Sequence, residues 1–168
     1  MNKKLIVFDW GSVLEGYNTT PMNSPQFFSK VLERIGISFD EKNLLIFTEL
    51  FNKNSCTIMT QKEMNKHIQE VFIFFRIEPS LELISNFRRA FIFVSTKINS
   101  RDKLLCKYIE DNQDNVNFAL LSNVNLLELP RQSIDIPEHL FTISFKSCER
   151  GICKPNPNIY QEFQNEAY

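Results

Sequence analysis

The chain alternates between short apolar runs and longer stretches whose apolar residues recur at helical spacing. A run at residues 5–8 ends at a carboxylate, Asp9, and a run at 118–121 ends at a serine and an asparagine. Short uninterrupted apolar runs are typical of strands buried on both faces of a parallel sheet. A further run at 140–145 predicts one more strand. The pattern therefore predicts an α/β protein with three visible strands.

Helical periodicity dominates the segment between the first two strands. Gly36 is predicted to end the first of four helices there, as a C-cap residue. Most of the 16 phenylalanines fall between residues 27 and 93, where we expect them to form the core of a helical unit. N-cap residues, a capping box and prolines mark the helix starts, at Ser24-Pro25, Asp40, Thr60, Pro79, Ser100 or Asp102, and Asn156-Pro157.

The polar residues that follow the strands are the candidate functional residues. Asp9 ends the first strand, and Ser122 and Asn123 end the second. Open α/β sheets bind their ligands at the carboxyl ends of their strands. Asp9 taken alone is equally compatible with a residue that caps a turn. Lys154 adds a positive charge directly before a helix start rich in proline.

Three segments together carry a resemblance to a known family. They are FDWGSVL at 8–14, LLSNVN at 120–125 and KPNPNIY at 154–160. Their order and spacing resemble the haloacid dehalogenase-like (HAD) hydrolase superfamily, and within it the small sugar-phosphate phosphatases, including glucose-1-phosphate phosphatases. The resemblance implies a Rossmann-like, doubly wound parallel sheet core from residues 1–16 and 99–168. Residues 17–98 would be an inserted helical cap.

The resemblance also implies a role for each candidate residue. Asp9 would be the nucleophile that attacks phosphorus and forms an aspartyl-phosphate. Asp9 and the backbone carbonyl of Gly11 would bind Mg²⁺. Ser122 and Asn123 would hold the phosphoryl oxygens, and Lys154 would neutralise the charge on the phosphoryl group and the nucleophile. The substrate would be a small phosphorylated metabolite.

Two departures from the family pattern bear on activity. Most phosphatases of the family carry a second Asp where this chain has Gly11, and that Asp protonates the leaving group. Glu15 is a nearby candidate to replace it. No strand with paired acidic residues follows Lys154, so Asp9 would be the only side-chain ligand of Mg²⁺ and we expect weak metal binding. A chain that ends at Tyr168 without this motif is expected to be a truncated gene product or a fragment.

Two other functions stay open. A non-catalytic protein that keeps the fold for binding or interaction would need neither the acid nor the metal carboxylates. A 2-haloacid dehalogenase would tolerate the glycine at position 11, because halide leaves without a proton. Dehalogenases of the superfamily, however, carry an aromatic residue where Gly11 stands.

Composition narrows the range of partners and locations. The net charge is −1, so there is no electrostatic argument for nucleic-acid binding. The apolar stretches are too short to span a bilayer, and the four cysteines lack zinc-site spacing. Cys148 and Cys153 flank the Lys154 loop and are near enough in sequence to pair. Reduced thiols in a cytoplasmic protein are the favoured interpretation, since no secretory signal is visible.

Overall fold

The computed structural model describes residues 3–14, 21–97, 102–135 and 137–167, and only the backbone of Ser12 and of residues 133–135. Three strands form its sheet, β1 (Lys4–Phe8), β2 (Val116–Ser122) and β3 (Ile143–Lys146). The helices are α1 (Pro25–Glu33), α2 (Glu41–Asn52), α3 (Gln61–Phe74), α4 (Leu81–Lys97), α5 (Lys103–Asn112), α6 (Leu129–Asp135), α7 (Ser147–Arg150) and α8 (Pro157–Ala167).

The sheet is parallel, with β2 between β1 and β3. Phe8 lies opposite Leu120, and Ser122 lies opposite Lys146, so the carboxyl ends of all three strands meet at one edge. The prediction that the first strand is buried on both faces is wrong. Within the described residues β1 pairs with β2 alone, and its Val7 side chain is 43% exposed.

Helices cover both faces of the sheet. Ala119 and Leu121 of β2 pack with Phe145 and with Ile159 and Phe163 of α8 on one face. The alternate residues of β2, Phe118 and Leu120, join a larger apolar cluster on the other face, together with residues of α1–α5. This arrangement confirms the predicted doubly wound α/β fold.

Helices α1–α4, called the helical insert below, form a unit with a phenylalanine core. Ser24 and Asp40 act as N-caps as predicted, with side-chain oxygens that accept from the backbone N–H groups of Phe27 and Asn43. The fourth helix begins at Leu81 rather than at Pro79, because the Ser80 hydroxyl accepts from Leu83 N–H and caps it there. The predicted aromatic core is confirmed by the fully buried rings Phe27, Phe28, Phe47, Phe51, Phe72, Phe87 and Phe91.

The capping box of α3 makes a testable contribution to stability. The Thr60 hydroxyl accepts from Glu63 N–H at 3.2 Å, and the Glu63 carboxylate accepts from Thr60 N–H at 3.0 Å. Thr60→Ala is expected to lower the free energy of unfolding by about 1 kcal/mol in urea titrations. Thr96→Ala is the control, because the Thr96 hydroxyl bonds back to Ile92 O and Phe93 O inside α4 and caps no helix start. Equal losses in the two variants would contradict a capping role.

Leu14 and Asp102, described residues on either side of the helical insert in the sequence, are hydrogen-bonded to each other. Asp102 N–H donates to Leu14 O at 2.9 Å. The insert also packs on the sheet domain, through α4 against α6 and through the turn Ser55–Thr57 against α7. The predicted boundaries at 16/17 and 98/99 lie outside the described residues.

The segment after β2 departs most from the sequence prediction. Strand β3 begins at Ile143, three residues later than expected, because Glu138–Leu140 forms a 3₁₀ turn. Thr142 then uses both its backbone N–H and its hydroxyl to bond Phe118 O, which fixes the start of the strand. Helices α6 and α7 were not predicted. Across the described residues, the helices fall short of the length and apolarity needed to cross a bilayer.

Candidate functional site

Asp9 lies at the carboxyl end of β1, where the sheet edge opens. Its Oδ1 accepts from Trp10 N–H at 2.8 Å, and the chain continues into a wide helical turn of the π type, Trp10–Leu14. Such turns recur at functional sites. Gly11 is exposed within this turn, with no atom within 4 Å of the place a Cβ would take. The carboxylate is 43% exposed and so accessible to a ligand.

Lys154 reaches Asp9 from the far side of β2. Its Nζ lies 2.7 Å from Asp9 Oδ2 and also donates to Leu121 O at 3.0 Å. The Lys154 side chain is 20% exposed, half as much as that of Asp9. The structure therefore brings these two predicted residues together as an ion pair at the sheet edge, 145 positions apart in the sequence.

Asn123 fixes the backbone of Lys154. Its Oδ1 accepts from Lys154 N–H at 2.7 Å, and its Nδ2 donates to Lys154 O at 2.9 Å. A second tie lies next to it, because the Ser147 hydroxyl accepts from Val124 N–H and donates to Val124 O. The loop after β2 and the loop that carries Lys154 are therefore joined into one unit.

Ser122 is the last residue of β2 and is 1% exposed. Its hydroxyl has no hydrogen-bond partner among the described residues. Buried hydroxyls are nearly always bonded, so this one has hydrogen-bonding capacity for a ligand or water. The structure thus places Lys154 in contact with both Asp9 and Asn123. Ser122 precedes Asn123, and its hydroxyl makes no hydrogen bond within the described residues.

The donor set for Mg²⁺ is small. Among the described residues no cluster of three or more His, Cys, Asp or Glu side chains forms. The Asp9 carboxylate is an accessible donor at the sheet edge, and the family resemblance adds the backbone carbonyl of Gly11, two residues further along. Mg²⁺ commonly binds one or two carboxylates and takes its remaining ligands from waters and a substrate phosphate. The residues therefore fit a weak site completed by substrate.

Sequence reasoning missed several polar residues near the site. Trp10 is 2% exposed, and the Arg131 guanidinium lies 5.2 Å from its ring centroid. Gln132 is fully buried, and both its amide O and N lack a partner among the described residues. Lys146, at the end of β3, forms an ion pair with Glu138. Arg131 and Gln132 belong to the unpredicted α6, so no apolar period could have placed them.

The four cysteines are free thiols. Burial, followed by the charge of Glu149, raises the pKa of Cys148 to about 12. The Cys153 thiol lies next to the Cys56 thiol of the helical insert, with no bond between the two sulfurs. The pairing of Cys148 with Cys153 considered from the sequence is not formed.

Comparisons with solved structures identify the fold. No protein-family model matches the sequence, and no curated protein matches it. A wild-type HAD family enzyme from Bacteroides thetaiotaomicron, in complex with magnesium and inorganic phosphate, is 18% identical, with a TM-score of 0.66 over 99% of this chain and 79% of that one. A predicted HAD-like family hydrolase from Porphyromonas gingivalis is 21% identical, with a TM-score of 0.57 over 98% and 76%.

A third similar structure belongs to a protein with a different activity. A 2-haloacid dehalogenase from Pseudomonas syringae pv. Tomato is 15% identical, with a TM-score of 0.64 over 99% of this chain and 73% of that one. At sequence identities this low, the TM-scores establish a shared backbone arrangement and nothing about the chemistry, which has to be inferred from the residues of the site. With its parallel sheet, its helical insert and the ion pair at its sheet edge, the chain has the fold of the haloacid dehalogenase-like hydrolases.

Proposed function

We propose that this protein is a Mg²⁺-dependent phosphatase of small phosphomonoesters, with Asp9 as its nucleophile. The observation that carries the proposal is the contact of 2.7 Å between Asp9 Oδ2 and Lys154 Nζ at the open sheet edge. A carboxylate and a lysine held side by side in this way suit an in-line attack on phosphorus. The wild-type Bacteroides neighbour that holds magnesium and inorganic phosphate supports the same chemistry.

The reaction would proceed in two displacements. An Asp9 oxygen forms a bond to phosphorus while the bond from phosphorus to the leaving oxygen breaks, which gives an aspartyl-phosphate. Water then attacks phosphorus, releases inorganic phosphate and restores the carboxylate. Lys154 stabilises the negative charge on the phosphoryl oxygens in both steps, and Asn123 keeps it in place through two backbone hydrogen bonds.

Asp9 and the Gly11 carbonyl would hold the metal ion. Bound Mg²⁺ would supply charge neutralisation and orientation of the phosphate. The Ser122 hydroxyl is free to donate to a phosphoryl oxygen, since it has no partner in the described part of the chain.

The leaving group receives no proton from position 11, because glycine has no side chain. Glu15, the candidate substitute, lies outside the described residues. General acid catalysis is typically worth about 10²–10⁴-fold. A phenolate is a good leaving group without protonation, because its conjugate phenol has a low pKa. The proposed enzyme therefore favours aryl phosphates over alkyl phosphates by a wide margin.

The alternative is a non-catalytic phosphate-binding protein. Gly11 favours it, as does the lack of an acidic cluster among the described residues. In that case the ion pair and the free Ser122 hydroxyl would bind a phosphorylated metabolite without turning it over.

One series of assays distinguishes the proposed phosphatase from a non-catalytic protein and from a dehalogenase. Hydrolysis of an aryl phosphate is measured with Mg²⁺ and with excess EDTA, and activity that requires Mg²⁺ is the expected result. Phosphate binding measured by calorimetry, without hydrolysis of the aryl phosphate, would favour the non-catalytic alternative. Chloride release from a 2-chloroacid in EDTA would instead identify a dehalogenase, as in the Pseudomonas neighbour. Mg²⁺-independent hydrolysis would contradict the proposed metal site.

A further inference from the structure

A turn of the helical insert packs directly on the loop that carries Lys154. The chain leaves α2 through Asn54, which has a left-handed backbone (φ 64°), and then forms the 3₁₀ turn Ser55–Thr57. This turn lies against α7, at the start of the loop that leads to Lys154. The insert therefore touches the site through a short segment connecting α2 and α3.

Gly151 lies against residues 57–59 of the insert. It ends α7 in the left-handed conformation, with φ 71°. A Cβ at this position would lie 2.8 Å from the Met59 sulfur and 3.8 Å from Thr57 O. The backbone angle favours glycine here, and a side chain at this position would push the Met59 sulfur aside. The Met59 side chain rests on the backbone of the Lys154 loop.

A second contact lies two residues further along the same loop. The Cys56 thiol of the insert contacts the Cys153 thiol, directly before Lys154. Burial, followed by the Cys153 contact, raises the pKa of Cys56 to about 12, so this thiol stays protonated at neutral pH. We call the four residues Cys56, Met59, Gly151 and Cys153 the clasp.

We propose that the clasp couples the position of the helical insert to the position of Lys154, with Met59 and Cys56 as positioning residues for the reaction. The contacts run from Met59 to Gly151, and from Cys56 to Cys153, and the next residue is the one that pairs with Asp9. The loop is held from the opposite side by Asn123. Movement of the insert away from α7 removes the contacts that the insert makes with the loop that carries Lys154.

The clasp is suited to open and close without unfolding. Met59 is 50% exposed, and methionine is a flexible side chain that packs with little strain. This inference rests on the proposed function only in so far as Lys154 acts on the substrate.

The kinetic test compares Met59→Ala with Leu45→Ala. Leu45 is a matched control, an apolar residue of the same insert that is 49% exposed and lies on α2, away from α7. Met59→Ala is expected to lower kcat for an aryl phosphate by about 10-fold through a misplaced Lys154, with little change in KM. Met59→Leu should restore most of the rate. Equal kcat in Met59→Ala and Leu45→Ala would overturn the proposal.

The second test does not depend on turnover. Diamide, a thiol oxidant, takes one hydrogen from each of two adjacent thiols and is itself reduced to the hydrazine, while the two sulfurs join as a disulfide. Peptide mapping of the oxidised wild-type chain is expected to show a Cys56–Cys153 disulfide, absent from Cys56→Ser and formed more slowly in Met59→Ala than in Leu45→Ala. No such link, or equal rates in those two variants, would overturn the clasp. A chain without phosphatase activity that still forms the link in a Met59-dependent way would refute the proposed function and support the clasp.

Discussion

Replacement of Asp9 by asparagine is expected to reduce Mg²⁺-dependent hydrolysis of an aryl phosphate by about 10⁴-fold or more. Asparagine has nearly the same shape and keeps an oxygen that can accept from Trp10 N–H, as Asp9 Oδ1 does at 2.8 Å. It lacks the negative charge that attacks phosphorus, and loss of a nucleophile removes most of the rate enhancement of covalent catalysis. The measurement is kcat/KM at saturating Mg²⁺.

A matched control separates chemistry from folding. Asp102 is an N-cap residue whose Oδ1 accepts from Leu104 and Leu105 N–H, and asparagine caps helices about as well. Asp102→Asn should keep wild-type activity and stability. If Asp9→Asn retained the wild-type rate, Asp9 would be removed from the mechanism, whatever the fold suggests.

Phe28→Ala is expected to lower the free energy of unfolding by about 3–5 kcal/mol, a large part of the stability of a domain of this size. The Phe28 ring is fully buried and lies 4.9–6.1 Å, centroid to centroid, from the rings of Phe27, Phe47, Phe51 and Phe91. Truncation leaves a cavity and removes these edge and tilted aromatic contacts. Urea unfolding followed by circular dichroism gives the difference.

Phe74 supplies the control for this change. It belongs to the neighbouring α3, but its side chain is 60% exposed. Phe74→Ala should change the free energy of unfolding by about 0.5 kcal/mol or less. Similar losses in the two variants would mean that the aromatic cluster is not the core of the helical insert.

The elements that the sequence predicts well are those specified by local chemistry. Ser24, Asp40 and Thr60 cap helices with their own side chains, so a few neighbouring residues suffice to identify each start. The candidate site is predictable for a similar reason. Polar residues that end parallel strands must share one sheet edge, so Asp9 and Asn123 come together once the strands are recognised.

The features that the sequence does not predict depend on contacts between distant residues. Strand β3 starts where Thr142 meets Phe118 O, a partner 24 positions away. The apolar run of β1 resembles that of a buried strand, although burial is decided by neighbouring strands and not by the run itself. The thiol neighbour of Cys153 is likewise Cys56, which belongs to the helical insert and is 97 positions away, and not Cys148, which is nearer in the sequence.

The partly open β1 strand also bears on how the protein behaves in concentrated solution. Within the described residues β1 pairs with β2 alone, and an unpaired strand edge is a template for aggregation, above all next to an apolar side chain such as the exposed Val7. Lys3 and Lys4 stand at the start of this strand as exposed positive charges, the kind of gatekeeper that discourages strands of separate molecules from adding to one another. The colloidal stability of the protein is therefore expected to depend on Lys3 and Lys4, which are not among the candidate site residues.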